Sequence, residues 1–320
     1  MEYKFRPYFR RRQAFKRLVG KKFFFLGLVI FVATSILKVK LTRLVVNDTI
    51  LLPAEEELIS LIMTGDVSLG RAVNAQIQRS KNPYLPFEKT ASFLKGGDLT
   101  IVNLESPLLE NCPLTSEGMK LCGSLVNIAG LSFAGIDIAS VANNHINDFG
   151  SLGAQKTEEI LSENGIRALK NEELLVYSIK GVNFAFLAYD LIGHQFNQEK
   201  FLKQITKAKE GADLLVIIFH WGVEYTAKPT ERQKQIAYLA IDQGADLILG
   251  NHPHWVQSRE VYKDKLIVYS HGNFVFDQLW SEKTRQGIIG KYTFQKKKLI
   301  DSRFLPIWIN ESFQPELKEY

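Results

Sequence analysis

Short apolar runs alternate with amphipathic segments along most of the chain. The runs have the length of buried strands and cover residues 58–63, 99–104, 136–142, 214–219 and 247–249. Segments of helical periodicity lie between them, at residues 71–80, 87–94, 125–133, 151–164, 198–210 and 229–243. Strands that alternate with helices in this way predict an α/β fold.

Three later segments have a different pattern, because apolar and polar positions alternate around short turns. Two predicted hairpins pair residues 174–179 with 183–189 and residues 261–262 with 266–269. Residues 287–309 also alternate and predict antiparallel strands. The fold is therefore expected to contain either one mixed sheet or two sheets packed together.

The first 40 residues do not fit this pattern. Residues 1–22 carry nine Lys and Arg residues against Glu2, and residues 23–37 form an uncharged apolar run. Lysines flank the run and can lengthen its span by snorkelling, so we predict an uncleaved signal-anchor transmembrane helix over residues 23–40. The basic flank predicts a single-pass cell-membrane protein with a cytoplasmic N-terminus and an extracytoplasmic main domain. A cleaved signal peptide is the alternative.

Charge and cysteine content add two further expectations. The formal net charge is +6, but the excess lies in the first 22 residues and the remainder is close to neutral. Without a basic stripe carrying interleaved aromatic residues, we expect no nucleic-acid partner. Cys112 and Cys122 would form a short disulfide loop if the domain lies outside the cytoplasm, and two free thiols are the equal alternative.

Chemically versatile side chains collect just past the ends of the predicted strands. They are Asp66, Glu105, Asn144, His145, His220, His252, His254 and His271. Strand ends of α/β sheets gather on one rim where ligands bind, so this pattern predicts a metal or catalytic site. Carboxylate, amide and imidazole donors together suit Zn, Mn or Fe. His252 and His254 are two residues apart, so in an extended segment their rings would point the same way.

Six ordered motifs over residues 58–290 resemble the CapA family of bacterial capsule proteins, which act in poly-γ-glutamate biosynthesis. The motifs are Gly65-Asp66, Asn103-Leu104-Glu105, Ala142-Asn143-Asn144-His145, His220-Trp221-Gly222, Gly250-Asn251-His252-Pro253-His254 and His271-Gly272-Asn273-Phe274. This family belongs to the calcineurin-like metallophosphoesterase superfamily. The resemblance implies a four-layer α/β/β/α sandwich over residues 58–312, after a linker at 41–57 and before a tail at 313–320. An N-terminal membrane helix is typical of its capsule-type members.

The resemblance also implies residue roles. The metal ligands would be Asp66, Glu105, Asn144, His220, His252 and His254, holding one or two divalent ions (Mn, Zn or Fe). The catalytic residues would be His145, His254 and Asp148. His145 would assist the leaving group, and Asp148 would orient the ring of His145. Ser68 departs from the superfamily pattern, which has a ligand histidine there, so one metal position is expected to be weaker or absent. His254 faces that incomplete position and is expected to act either as a ligand or as a proton donor.

The resulting hypothesis is a membrane-anchored protein of poly-γ-glutamate synthesis or export that binds this anionic polymer. The sequence has no ATP-binding motif, so other capsule synthase subunits would supply the ATP-dependent ligation. The alternatives are an envelope metal-dependent phosphoesterase or other hydrolase, and a non-catalytic polymer-binding scaffold; whether the chain is an enzyme stays open. Cations that could meet the polymer are Arg71, Lys228, Arg232 and Arg259, although an ordinary solvated charge is the favoured explanation for any one of them alone. Glu224 is expected to be a second-layer partner or a general base.

Overall fold

The computed structural model describes residues 57–193 and 195–318. The predicted basic segment, signal-anchor helix and almost all of the linker lie outside these residues. Within the described ranges, no helix is both long enough and apolar enough to cross a membrane.

The described chain alternates strands and helices, as the apolar runs predict. The strands are β1 Ile59–Val67, β2 Leu99–Leu104, β3 Leu108–Leu109, β4 Gly123–Ser124, β5 Ile138–Ser140, β6 Arg167–Leu169, β7 Leu174–Ile179, β8 Val182–Asp190, β9 Leu214–His220, β10 Leu247–Asn251, β11 Arg259–Tyr262, β12 Lys265–Val268, β13 Asn273–Val275, β14 Gln286–Gln295, β15 Lys298–Ile309 and β16 Pro315–Leu317. The helices are α1 Arg71–Ser80, α2 Ala91–Leu94, α3 Ile128–Ala134, α4 Gly150–Glu163, α5 Gln198–Gly211 and α6 Glu231–Gln243.

Two large sheets form the centre of the domain. The first has the order β16-β15-β14-β1-β2-β5-β6, and β13 also pairs with β1. The second has the order β11-β12-β10-β9-β8-β7. In each sheet the central strands are parallel, whereas β14–β16 and the edge strands β7 and β11 pair antiparallel. Of the two sequence alternatives, two packed sheets is therefore correct.

Alternate side chains of each central strand enter different cores, which defines the layers. In β1, Leu61 and Met63 lie in the core between the two sheets, whereas Ile62 packs against α1 and its neighbours. In β9, Val216 faces the other sheet and Ile217 packs against α5 and α6. This period of two buries both faces of each sheet. The layer order is helices, sheet, sheet, helices.

Several local expectations differ from the structure. The helix predicted over residues 87–94 is a 3₁₀ turn at Leu85–Phe87 followed by α2, because Pro86 starts the turn and Thr90 precedes the second helix. The predicted domain end at residue 312 is followed by β16, which pairs with β15. The sheet therefore continues through Leu317, into the segment expected to be a tail.

The parallel central strands end at one rim, and glycines allow these ends to approach closely. A Cβ atom added at Gly65 would lie 2.1 Å from the carbonyl oxygen of Gly272, and one at Gly250 would lie 2.1 Å from that of Tyr269. Only a residue without a Cβ fits such contacts. The rim formed in this way carries most of the polar motifs.

Candidate metal centre

Two groups of buried side chains at this rim could each hold a metal ion. One consists of Glu105, His220 and His252, and the other of Asp66, Glu105 and His254. Within each group the ligand atoms lie within 4.8 Å of one another. Glu105 belongs to both groups and is the residue that they share.

Glu105 directly follows β2 and is fully buried, yet neither of its carboxylate oxygens has a hydrogen-bond partner in the described part of the chain. The closest ring nitrogens are Nε2 of His220, at 3.7 Å from Oε1, and Nε2 of His145, at 3.9 Å. Burial, followed by the charge of Asp66, raises the pKa of Glu105 well above its ordinary value. A buried carboxylate without a partner is costly, and a bound cation would remove that cost. The residues present therefore fit a metal ion.

The rings of His220 and His252 converge with the side-chain amide of Asn144. Nε2 of His220 lies 2.8 Å from Oδ1 of Asn144 and 3.1 Å from Nδ1 of His252. Burial lowers the pKa of His220 well below its ordinary value; burial and the nearby His254 lower that of His252 to about 4. Both rings are therefore neutral near pH 7, which is the form that binds metals. Together with Glu105 they offer one ion four ligands.

Asp66 lies near the end of β1 and is held by its neighbours. Its Oδ1 accepts hydrogen bonds from Nδ2 of Asn103 (2.7 Å) and of Asn251 (2.9 Å), and its Oδ2 accepts one from the backbone N–H of His252 (3.2 Å). Burial by itself would raise the pKa of Asp66, but the hydrogen bond and charge of His254, with further help from His220 and Asn103, lower it to about 2. Asp66 is therefore ionised and well oriented.

A hydrogen-bond chain positions His254. Its Nδ1 lies 2.9 Å from Oδ1 of Asn273 and 3.5 Å from Oδ2 of Asp66. Asn273 donates from Nδ2 to Oε1 of Gln278 (3.1 Å) and to the carbonyl of Thr284 (2.9 Å), so its oxygen must face His254. Nδ1 of His254 is then the donor to this oxygen.

The backbone in this segment is strained. The φ angles of His252 and His254 are 96° and 58°, in the left-handed region that non-glycine residues rarely adopt. Such strain persists only where surrounding contacts fix it, and it concentrates at functional sites. The backbone N–H of His252 donates to Asp66, and the ring of His254 is held by Asn273. The simple picture of an extended segment with both rings on one side was incorrect, because both residues leave the extended region.

His145 stands at the mouth of the centre and is paired with Asp148. Its Nδ1 lies 2.8 Å from Oδ2 of Asp148, which also accepts a hydrogen bond from the backbone N–H of Leu121 at 2.7 Å. The side chain of His145 is 16% exposed. Because Nδ1 faces Asp148, Nε2 is the atom directed to Glu105.

His271, like His145, belongs to neither ligand group, and its ring is fully buried. Its ring nitrogens contact the carbonyl of Gly250 at 3.0 Å and the hydroxyl of Tyr292 at 2.8 Å. Burial lowers its pKa to about 4, so it is a neutral ring that supports the end of β10. Ser68 is buried, and its hydroxyl lies 3.4 Å from the backbone N–H of Gly70.

Sequence reasoning missed the asparagines that orient the ligands. Asn103 and Asn251 hold Asp66, and Asn273 holds His254. Oδ1 of Asn143 accepts from the backbone N–H groups of His145 and Ile146, while its Nδ2 donates to the carbonyl of Leu104 and to Oδ1 of Asn103. A signal was present, because an asparagine lies within two residues of a ligand in most of the motifs.

A small cavity of about 80 Å³ opens next to the two ligand groups. Its lining includes His145, His254, Tyr225 and Glu224. Met119 and Leu121 also contribute, and they belong to a loop closed by a disulfide between Cys112 and Cys122. The disulfide resolves the alternative that the sequence left open. Glu224 is thus placed at the mouth of the centre rather than among the ligands.

Arg71 differs from the other three cations proposed to meet the polymer. It lines this cavity, whereas Arg232 lines a separate groove beside Trp221. The guanidinium of Arg259 stacks over the ring of Phe304 at 3.9 Å. Lys228 is exposed.

Residues 60–278 match the family model described as bacterial capsule synthesis protein PGA_cap. The chain belongs to this family. It is 32% identical over 285 residues to the capsule biosynthesis protein CapA of Bacillus anthracis, covering 80% of this chain and 69% of that protein. It is 28% identical over 287 residues to the PGA biosynthesis protein CapA of Bacillus subtilis (strain 168), and the match covers 82% of this chain and 75% of that protein. The resemblance to the CapA family is confirmed.

Two solved structures share the fold. A phosphatase from Mycoplasma pneumoniae has a TM-score of 0.53 at 18% sequence identity and covers 79% of this chain and 94% of its own. A hypothetical protein from Thermus thermophilus has a TM-score of 0.52 at 13% identity, and the match covers 78% of this chain and 98% of that protein. The mixed α/β architecture is therefore metallophosphoesterase-like, as the family resemblance implies.

Proposed function

We propose that this protein acts in the synthesis or export of a poly-γ-glutamate capsule and that its described domain holds one or two divalent ions (Mn, Zn or Fe). Membership of the PGA_cap family and the similarity to two CapA proteins support a role with this polymer. The metal proposal rests chiefly on Glu105, a fully buried carboxylate without a hydrogen-bond partner among the described residues. Four histidines lie around it: His145, His220, His252 and His254.

The two ion positions would differ in strength. Glu105, Asn144, His220 and His252 would hold the first ion with four ligands. Asp66, Glu105 and His254 would hold the second with three, and Ser68 adds no imidazole there. A bound ion would supply Lewis-acid polarisation of a carbonyl or phosphoryl oxygen. The second position is therefore expected to lose its ion first.

His145 is the residue placed to move a proton. Asp148 accepts the hydrogen bond from Nδ1 and fixes the ring, so Nε2 is free to take or give a proton in the cavity. His145 is partly exposed, whereas the proposed carboxylate and histidine ligands of the metal are buried, which suits a group that meets a ligand rather than an ion. We propose this role without assigning a reaction.

We further propose that the domain works outside the cytoplasm, anchored by residues 23–40 with the N-terminus inside. The disulfide between Cys112 and Cys122 supports this, because disulfides persist in oxidising compartments. ATP-dependent ligation would come from other capsule synthase subunits, since the sequence has no ATP-binding motif. The polymer itself, the membrane and these subunits are the proposed partners.

An envelope phosphoesterase or other hydrolase is the second candidate function. The observation that favours it is the pair of adjacent ligand groups sharing Glu105, with His145 beside them, an arrangement suited to metal-assisted displacement. A polymer-binding scaffold without catalysis is less well supported, since it would need neither the cluster of buried histidines nor the buried carboxylate of Glu105.

Elemental analysis of the full-length protein tests the metal centre. Wild type should retain at least one divalent ion, Glu105→Gln and His252→Gln should lose it, and Glu163→Gln, an exposed change on α4, should behave as wild type. Wild type without metal after growth in Mn, Zn and Fe would refute the centre. Capsule polymer in cells carrying each variant, together with a phosphodiester and γ-glutamyl substrate screen, would separate the two functions.

A further inference from the structure

Arg71 begins α1 and lies against the candidate metal centre. Its side chain is only 16% exposed, and its φ angle of 46° is in the left-handed region. Nε and Nη2 of Arg71 donate to the two carboxylate oxygens of Asp277, at 3.1 and 2.5 Å. This bidentate pairing fixes the plane of the guanidinium group.

The disulfide loop provides the third fixed contact. Nη1 of Arg71 donates to the carbonyl of Gly118 at 2.8 Å, and Gly118 lies between Cys112 and Cys122. A guanidinium group has five N–H bonds, so two remain for a ligand. The same loop donates from Leu121 to Asp148, which links the arginine to the residue that orients His145.

The charge of Arg71 reaches the centre. Arg71 shares the cavity wall with His145 and His254, on which the proposed proton and metal chemistry depends. An anionic group in this cavity would therefore meet a fixed arginine and the metal ligands at once.

We propose that Arg71 is a specificity-determining residue that binds an oxyanion of the ligand, the α-carboxylate of a γ-glutamyl unit, at the mouth of the metal centre. This deepens the proposed function and rests on it. The planar guanidinium fork matches a carboxylate better than a lysine ammonium group does, and its partners hold it in place before the ligand arrives. A phosphate group offers related oxyanion chemistry, so the experiment must distinguish the two sources.

Binding should be measured by calorimetry with the full-length, metal-loaded protein and three probes. The probes are a γ-glutamyl oligomer, the same oligomer with amidated α-carboxylates, and inorganic phosphate. The variants are Arg71→Gln, Arg71→Lys and the matched control Arg79→Gln, an exposed arginine on the last turn of α1. The double variant Arg71→Gln/Asp277→Asn avoids leaving Asp277 buried without its partner.

Wild type should bind the acidic oligomer at least about tenfold more tightly than the amidated one. Arg71→Gln and the double variant should lose this preference, Arg71→Lys should keep part of it, and Arg79→Gln should keep all of it. An unchanged preference in the folded double variant would overturn the proposal. So would tight, Arg71-dependent binding of phosphate with no preference between the oligomers.

The metal content of each variant separates this test from that of the proposed function. Arg71→Gln should keep its ions, because Arg71 is not among the ligand groups. Loss of oligomer preference with metal retained supports the role of Arg71. Wild type that lacks metal, in contrast, would refute the metal centre itself, whatever the oligomer binding.

Discussion

Nε2 of His220 lies 3.1 Å from Nδ1 of His252, and both rings are buried. Two neutral imidazoles can share one proton at this distance, whereas two protonated rings would place N–H groups and positive charges against each other. The geometry therefore favours neutral rings, in agreement with the lowered pKa values of both. The pair is held in the protonation state that a metal ion requires.

This pair should make the metal-free protein acid-labile. The pKa of His252 is about 4 in the folded state and 6.5 in an unfolded chain, so the unfolded state binds more protons between these values. The free energy of unfolding should therefore fall as pH decreases from 6.5 to 4, by about 3 kcal/mol for this residue. Urea unfolding in the presence of a chelator, at pH values from 4 to 7.5, measures the slope.

The control for this experiment is His252→Gln, which should flatten part of the slope because its side chain does not titrate. His220 and His271, whose pKa values are also lowered, should maintain the rest. A variant whose slope equals that of wild type would contradict the assignment.

Glu105→Gln should have opposite effects on metal binding and on metal-free stability. The raised pKa of Glu105 means that the folded state keeps a proton that the unfolded state releases above pH 4.5, so this group destabilises the metal-free protein as pH rises. Without metal, the variant should be more stable than wild type at pH 8, and the difference should shrink as the pH falls to 5. Urea unfolding gives the stability, and elemental analysis should find no ion at either position.

Glu163→Gln is again the matched control, since it removes an exposed charge. If metal-free Glu105→Gln were less stable than wild type at pH 8, the carboxylate would have a protein partner that compensates its burial. The account of Glu105 as a ligand awaiting an ion would then be incorrect.

Removing the disulfide should lower the free energy of unfolding, because the unfolded chain would gain conformational freedom. Cys112 and Cys122 are 10 residues apart, and closing a loop of this length is expected to stabilise the domain by about 3 kcal/mol. The double variant Cys112→Ser/Cys122→Ser should lose this amount in urea unfolding. Reductant should destabilise wild type similarly and leave the double variant unchanged; a response of the double variant would point to another origin.

Gly250→Ala should disturb the metal centre through the backbone. The added Cβ would lie 2.1 Å from the carbonyl oxygen of Tyr269 and 2.6 Å from Nε1 of Trp221, so β10 must shift and carry His252 with it. We expect a loss of about 3 kcal/mol in stability and reduced metal content, measured by urea unfolding and elemental analysis. Gly211→Ala, with open space around its Cβ, should change neither.

Much of the architecture was predictable because long apolar runs become central strands. β2, β9 and β10 begin at predicted residues, and polar motifs at their ends came together as expected. β6 and β13 were missed, because three residues give too little periodicity to recognise. The disulfide was undecided, since spacing alone does not distinguish a bridge from two thiols.

The finer parts of the centre depend on contacts that no local pattern encodes. His271 follows a strand like the other motif histidines, yet its ring lies between the carbonyl of Gly250 and the hydroxyl of Tyr292. The orientation of His254 depends on Asn273, which is fixed in turn by Gln278. Such partners are set by the packing of distant segments, and the sequence indicates only which chemical groups are available.

The proposed metal ligands come from both sheets. Asp66 and Glu105 lie at the ends of β1 and β2, whereas His220 and His252 lie at the ends of β9 and β10 in the other sheet. An ion held between them would bind only when the two sheets are packed together, so it would stabilise the folded state. At one hundred times its Kd, such an ion adds about 2.7 kcal/mol to the free energy of unfolding. Metal availability would therefore govern how long the domain survives unfolding and proteolysis, besides any chemistry it supports.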